Sequence, residues 1–196
     1  SFRNTLFFNR SNADFGMNYT FGDSRNKNLL TNGFESRNVT KHEVAMRWNL
    51  IDAFTLNTRA EAGQSSAQSD FLSSRNYLLD VQSGGAELSW QPDPGLRLGV
   101  SATWTERKNR PEYGPEKASS YEVGVSGKWS KLLKGSVQGE FKWVEIDYNA
   151  PANNTLAFEM LGGLQPGRNF TWGLSVQRKL SGNLQLNLVY NGRSSE

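Results

Sequence analysis

YEVGVSGKW (121–129) puts Tyr121, Val123, Val125, Gly127 and Trp129 on one side of an extended chain and Glu122, Gly124, Ser126 and Lys128 on the other. A period of two is the signature of a strand, because successive side chains of extended backbone point to opposite faces. The segment therefore reads as a strand with one apolar face and an aromatic residue at each end. At about 3.3 Å per residue and a tilt of about 40°, the rise from Tyr121 to Trp129 is roughly 20 Å, which approaches the apolar band of an outer-membrane barrel.

The same alternation recurs on both sides of this stretch. Phe15, Met17, Tyr19 and Phe21 oppose Gly16, Asn18 and Thr20; Val44, Met46, Trp48 and Leu50 oppose Ala45, Arg47 and Asn49. Leu96, Leu98, Val100, Ala102 and Trp104 oppose Arg97, Gly99, Ser101 and Thr103. Near the end, Phe170, Trp172, Leu174 and Val176 oppose Thr171, Gly173, Ser175 and Gln177, then Leu184, Leu186, Leu188 and Tyr190 oppose Gln185, Asn187 and Asn191. Weaker alternation over 2–9, 54–63, 76–91 and 136–148 brings the expected total to ten strands. In 76–91, Leu79 and Val81 are out of phase with Ala86, Leu88 and Trp90, which predicts a bulge at Ser83-Gly84-Gly85. Val144, Ile146 and Tyr148 are likewise out of phase with Val137, Phe141 and Trp143.

The expected connections alternate in length. Short turns fall near 10–13, 51–53, 91–95, 130–135 and 181–183, and long polar loops near 22–38, 64–75, 108–119 and 149–168. Short turns on one side and long loops on the other are the pattern of an up-and-down barrel of the bacterial outer membrane. The predicted fold is an all-β, antiparallel up-and-down transmembrane β-barrel, with residues 1–196 forming one segment of a larger, porin-like ring. A soluble sandwich also alternates apolar and polar residues, but its strands average about 5–6 residues, whereas these run longer. The spacing of successive turns also suggests propeller repeats of roughly 40–45 residues, but a blade needs four short strands per repeat and each repeat here supplies two long ones.

Composition narrows the function. Among 196 residues there is no cysteine, so disulfides, thiolate metal sites and cysteine nucleophiles are excluded. The 22 basic and 19 acidic side chains leave a net charge of +3 without a dense cationic run, so nucleic acid is not an expected partner. Unbroken apolar runs are triplets such as Val44–Met46, far short of the roughly 18 residues of a spanning helix. Both ends open directly on patterned sequence, which predicts a removed leader or a fragment.

Aromatic residues cluster at both ends of the strands. Trp48, Phe54, Trp90 and Trp129 lie near the short turns; Tyr19, Phe21, Tyr77, Trp104, Tyr121, Trp143, Phe170, Trp172 and Tyr190 lie toward the long loops. Of these, Tyr19, Trp48, Trp90, Trp104, Tyr121, Trp129, Trp143, Trp172 and Tyr190 are the expected lipid-facing girdle. The opposite face carries Arg47, Arg59, Glu61, Arg97, Glu122, Lys128, Glu140, Lys142 and Lys179, together with Asn57, Gln138 and Gln177. A dry core would not accept that set without partners, so it is expected to line a lumen. Its arginines and lysines could form a ladder selecting anions, or they could neutralise Glu61, Glu122 and Glu140.

NGFESR (32–37), FLSSRNYLL (71–79), EMLGGLQPGRNFTW (159–172) and LQLNLVYNGRSSE (184–196) resemble the C-terminal region of large outer-membrane β-barrel proteins of the Bacteroidota. The likeness spans nearly the whole chain and rests on loop and turn wording rather than on a catalytic motif. Members of that family continue past the position of Glu196 into one more strand ending in an aromatic residue. The resemblance implies a surface location, contact with the lipid bilayer and lipopolysaccharide, and a role in transport, secretion or envelope architecture alongside other envelope proteins.

Little in the sequence points to chemistry. His42 is the one histidine, so a Ser-His-Asp set or a histidine metal site must use it. It shares the parity of Val44, Met46 and Trp48, which suits an interfacial, aromatic-like side chain; a surface lipid hydrolase using His42 with Ser119 or Ser120 is the enzymatic alternative, and a soluble β-rich binding protein is the third reading. Asp14, Asp23, Asp70, Asp80, Asp147 and Glu159 lack calcium-loop spacing, and GGLQPG (162–167) lacks the lysine and following helix of a phosphate loop. No metal, cofactor or catalytic residue is expected. The glycines at 16, 99, 124 and 173 are expected to make room for neighbouring side chains.

Overall fold

The computed structural model describes residues 1–30, 33–131, 134–182 and 184–196. Ten strands follow one another: β1 (Phe2–Phe8), β2 (Phe15–Leu30), β3 (Gly33–Ile51), β4 (Phe54–Ser69), β5 (Tyr77–Asp93), β6 (Leu96–Asn109), β7 (Lys117–Lys131), β8 (Gly135–Tyr148), β9 (Gly167–Lys179) and β10 (Gln185–Ser195). A short helix, α1 (Thr155–Leu161), lies between β8 and β9, and a 3-10 turn (Ser73–Arg75) between β4 and β5. Each strand pairs antiparallel with the next, giving one ten-stranded up-and-down sheet. Among the described residues the sheet is not closed, and β1 and β10 are its two edges.

Tight turns are built from local side-chain hydrogen bonds. Asn12 Oδ1 accepts from the backbone N–H of Asp14 at 2.7 Å and of Phe15 at 3.2 Å, and Asp93 Oδ1 accepts from Gly95 N–H at 2.6 Å. A short carboxylate or amide reaching two residues forward mimics a backbone turn and needs no help from tertiary structure.

Register then fixes the faces. Val100 pairs with Val125, Trp104 with Tyr121 and Leu96 with Trp129, so the apolar rows of β6 and β7 lie side by side. Ser126 pairs with Gly99 and Gly124 with Ser101 on the opposite face, called inner below because α1 packs against it. A Cβ on Gly99 would come within 2.8 Å of Ser126 Oγ, and one on Gly124 within 2.8 Å of Ser101 Oγ. These glycines do make room for cross-strand neighbours.

Two expectations need correction. The bulge at Ser83-Gly84-Gly85 is absent: β5 pairs with β4 without a break from Trp90 to Tyr77, and its one shift against β6 falls between Trp90 and Asp93, at the turn. β8 likewise keeps register with both neighbours through Val144 and Ile146. The apolar phase changes because the inner face itself turns apolar at one end. Tyr77, Leu79, Val144 and Ile146 point inward there and pack with Ala67, Ala118 and the α1 residues Ala157, Met160 and Leu161. Tyr77, which the sequence groups with the aromatics toward the long loops, is buried in this cluster.

The second correction concerns the loops. β2 and β3 stay paired out to Leu30 and Gly33, so most of the expected loop 22–38 is strand, and its residues 31–32 lie outside the described ones. The loops expected at 64–75 and 108–119 shrink to 70–76 and 110–116, leaving 149–166 as the one long connection among the described residues. Here the alternation is in charge rather than hydropathy: Asp23 and Arg25 pair at 3.0 Å on the outer face, Glu35 and Arg37 at 2.9 Å on the inner. A strand whose faces are both polar leaves no trace in a hydrophobic period. Of the expected turns 130–135 and 181–183, residues 132–133 and 183 lie outside the described ones.

Candidate functional site

The inner face changes along the strand direction. Toward the short turns it is basic, with Arg47, Arg97, Lys128 and Lys179. Arg97 and Lys128 are directly opposed across β6 and β7, a repulsive pairing that Glu87 on β5 relieves by reaching Arg97 at 3.6 Å. Arg47 donates to the main-chain carbonyl of Asn12 at 2.7 Å.

Midway along, charge is balanced. Arg59 meets Glu43 at 2.7 Å and Glu61 at 3.3 Å, and Lys41 meets the same carboxylates at 3.3 and 3.4 Å. Lys142 pairs with Glu122 at 3.1 Å. Glu140 shares the face, opposite Ser126. A cavity of about 780 Å³ occupies this region, lined by Asn18, Arg47, Arg59, Glu61, Ser101 and Thr103 among others. The nine charged residues predicted for this side therefore share one face, and neutralisation holds for Arg59, Glu61, Arg97, Glu122 and Lys142. Lys41, Glu43 and Glu87 complete these pairs; continuing the alternation of β3 and β5 by a few residues would have found them.

At the far end α1 closes over the apolar patch. Asn154 caps it, its side chain accepting from Ala157 N–H at 2.6 Å, and Gly162 ends it in the left-handed conformation at φ 62°. Arg107 of β6 donates to the Met160 carbonyl at 2.9 Å, and Arg193 of β10 donates to the Gly163 carbonyl at 3.2 Å. Asn169, fully buried, accepts from Gln165 N–H at 3.2 Å and Ser195 Oγ–H at 2.7 Å, and donates to the Gln165 carbonyl at 2.7 Å. Three strands thus hold one connection against the inside of the sheet.

The outer face is apolar between two aromatic levels. Pairings place all nine expected girdle residues there: Trp104 beside Tyr121, Trp143 beside Phe170, Trp172 beside Phe141, and Tyr19, Trp48, Trp90, Trp129 and Tyr190 within the same rows. The indole of Trp172 lies over Gly192, where a Cβ would collide with it. Beyond the aromatic level at the long-connection end the outer face becomes charged, with Lys108 and Lys117 on Glu106 and Arg110 on Asp80. Asp80, through its hydrogen bond first and its charge second, raises the Arg110 guanidinium above its ordinary value.

His42 sits within this outer aromatic level. Its Nδ1 and the Tyr19 hydroxyl are 2.7 Å apart, and its ring lies 5.0 Å from that of Phe21. Ser119 and Ser120 are on β7, four strands away, roughly 19 Å at about 4.8 Å per strand. Of the other acidic residues, Asp23 holds Arg25, and Asp70 accepts from Phe34 N–H at 3.2 Å.

No protein-family profile and no curated protein matches the chain.

Proposed function

We propose that this chain is a non-enzymatic sector of a bacterial outer-membrane β-barrel, with its outer face in lipid and its inner face serving solute passage, protein export or envelope scaffolding. The observation that carries this reading is the bare outer face: Met17, Val100, Val125 and Leu186 are 36, 55, 49 and 47% exposed, and no second sheet or helix lies over them among the described residues. Rows of exposed apolar side chains on successive strands exceed what soluble monomers ordinarily leave in water. Hydrocarbon satisfies them, the aromatic levels suit its two interfaces, and the charged end of the outer face reaches lipopolysaccharide headgroups.

The two sheet edges extend the proposal. Unsatisfied backbone groups in hydrocarbon cost several kcal/mol each, so further strands must join β1 to β10 in the intact ring. His42, engaged with Tyr19, acts as part of the interfacial aromatic level, and His42→Ala leaves any lipase signal unchanged. The direct test is detergent dependence: the purified chain requires detergent or lipid to stay monodisperse, and a monodisperse preparation in plain buffer refutes the reading.

A further inference from the structure

We infer that the β8–β9 connection, residues 149–166, is a fixed constriction that narrows the inner passage at its long-connection end. The inference rests on the barrel reading above and adds a part to it. The other described connections on that side, 70–76 and 110–116, are short, and among the described residues only this one carries an α-helix. Among the described residues, all of the buried apolar ones belong to one cluster, and α1 supplies three of them. The lining beneath, Leu79, Val144 and Ile146, is a contiguous apolar patch on a face that is otherwise mostly polar, and α1 covers it. The cover is held from β6 by Arg107, from β9 by Asn169 and from β10 by Arg193, so moving it breaks hydrogen bonds on three strands together. Phe158, on the free side of the helix, is 69% exposed and faces away from the cluster.

The absence of native cysteine makes the test clean. Met160→Cys and Phe158→Cys, each in the full chain, are treated with a bulky maleimide in detergent. Phe158→Cys reacts readily and Met160→Cys about tenfold or more slowly, because its reaction requires local opening; equal rates refute a seated helix. In vesicles carrying the intact ring, replacing 152–163 of this chain with a Gly-Ser linker of equal length raises permeation of larger sugars about tenfold, since the helix no longer narrows the passage. Should that variant fail to fold, Arg107→Met combined with Arg193→Met loosens the same segment at full length and moves permeation in the same direction. A folded variant with unchanged permeation overturns the constriction. A wild-type intact ring that never enters vesicles overturns the barrel reading and the constriction with it, whereas entry with unchanged permeation overturns the constriction alone.

Discussion

The guanidinium of Arg107, on the inner face of β6, donates to the main-chain carbonyl of Met160 in the last turn of α1, across 2.9 Å. Helix C-termini leave carbonyls without an internal partner, and a cation there also meets the negative end of the helix dipole. A polar strand face and an apolar cluster are thus tied through one side chain: Met160 buries its thioether while Arg107 satisfies its carbonyl.

Replacing Arg107 with Met keeps the stem and removes the donor. Hydrogen bonds to charged groups contribute about 1.5–3 kcal/mol, so Arg107→Met should destabilise the folded state by about 2 kcal/mol. Urea titration in detergent, followed by the loss of heat-modifiable migration, reads the change; an unmoved midpoint would show that the contact contributes nothing.

The two kinds of apolar residue should respond differently to truncation. Met160 is 1% exposed among protein neighbours, so Met160→Ala leaves a cavity and costs about 2–5 kcal/mol. Val100 is 55% exposed, so Val100→Ala removes contacts with solvent molecules that refill the space, and its cost stays below about 1 kcal/mol. Equal losses at both positions in the same unfolding assay would mean that the outer face is covered by protein.

How far the sequence could be read follows from the same distinction. Around Tyr121–Trp129 every second side chain is apolar over the full span, and the strand, its faces and its neighbours were legible from that alone. Leu79, Val144 and Ile146 broke the phase, and a single-face pattern allows only a bulge as the cause. The actual cause was TLAFEML (155–161), a short amphipathic helix inside a polar connection, whose docking site is assembled from four strands, β4, β5, β7 and β8. Asp23, Arg25, Glu35 and Arg37 are paired strand residues that hydropathy reads as loop. On the inner face, parity located the charges, but which of them pair depends on register, which the pairings of β3 with β4, β5 with β6 and β7 with β8 supply.

Glu43, like Glu61, is shared by Arg59 and Lys41, and its side chain is only 12% exposed. Glu43→Gln leaves two cations facing Glu61 alone. Because Arg59 is 56% exposed, solvent screens much of the resulting repulsion, and the expected loss is about 1 kcal/mol. Added salt should shrink the deficit, since screening weakens repulsion between the two unneutralised cations. A deficit that grows with salt would contradict the charge-balance account of this face.

Val125 and Ser126 are adjacent in β7 and point to opposite faces, Val125 beside Val100 and Phe141, Ser126 opposite Glu140. An arginine at either position adds the same charge to the same strand, so the difference between the two variants isolates the surroundings. In the interior of a bilayer a lipid-facing arginine costs about 2–4 kcal/mol, whereas on the inner face it meets water and the Glu140 carboxylate. Val125→Arg should therefore lower the yield and stability of the intact ring folded into vesicles, and Ser126→Arg should leave both nearly unchanged. If the outer face were instead bathed in water, Val125→Arg would be harmless and would improve solubility by breaking an exposed apolar row. Folding both variants into vesicles and into plain buffer decides between these environments, because the membrane reading requires the penalty to appear at Val125 and only there.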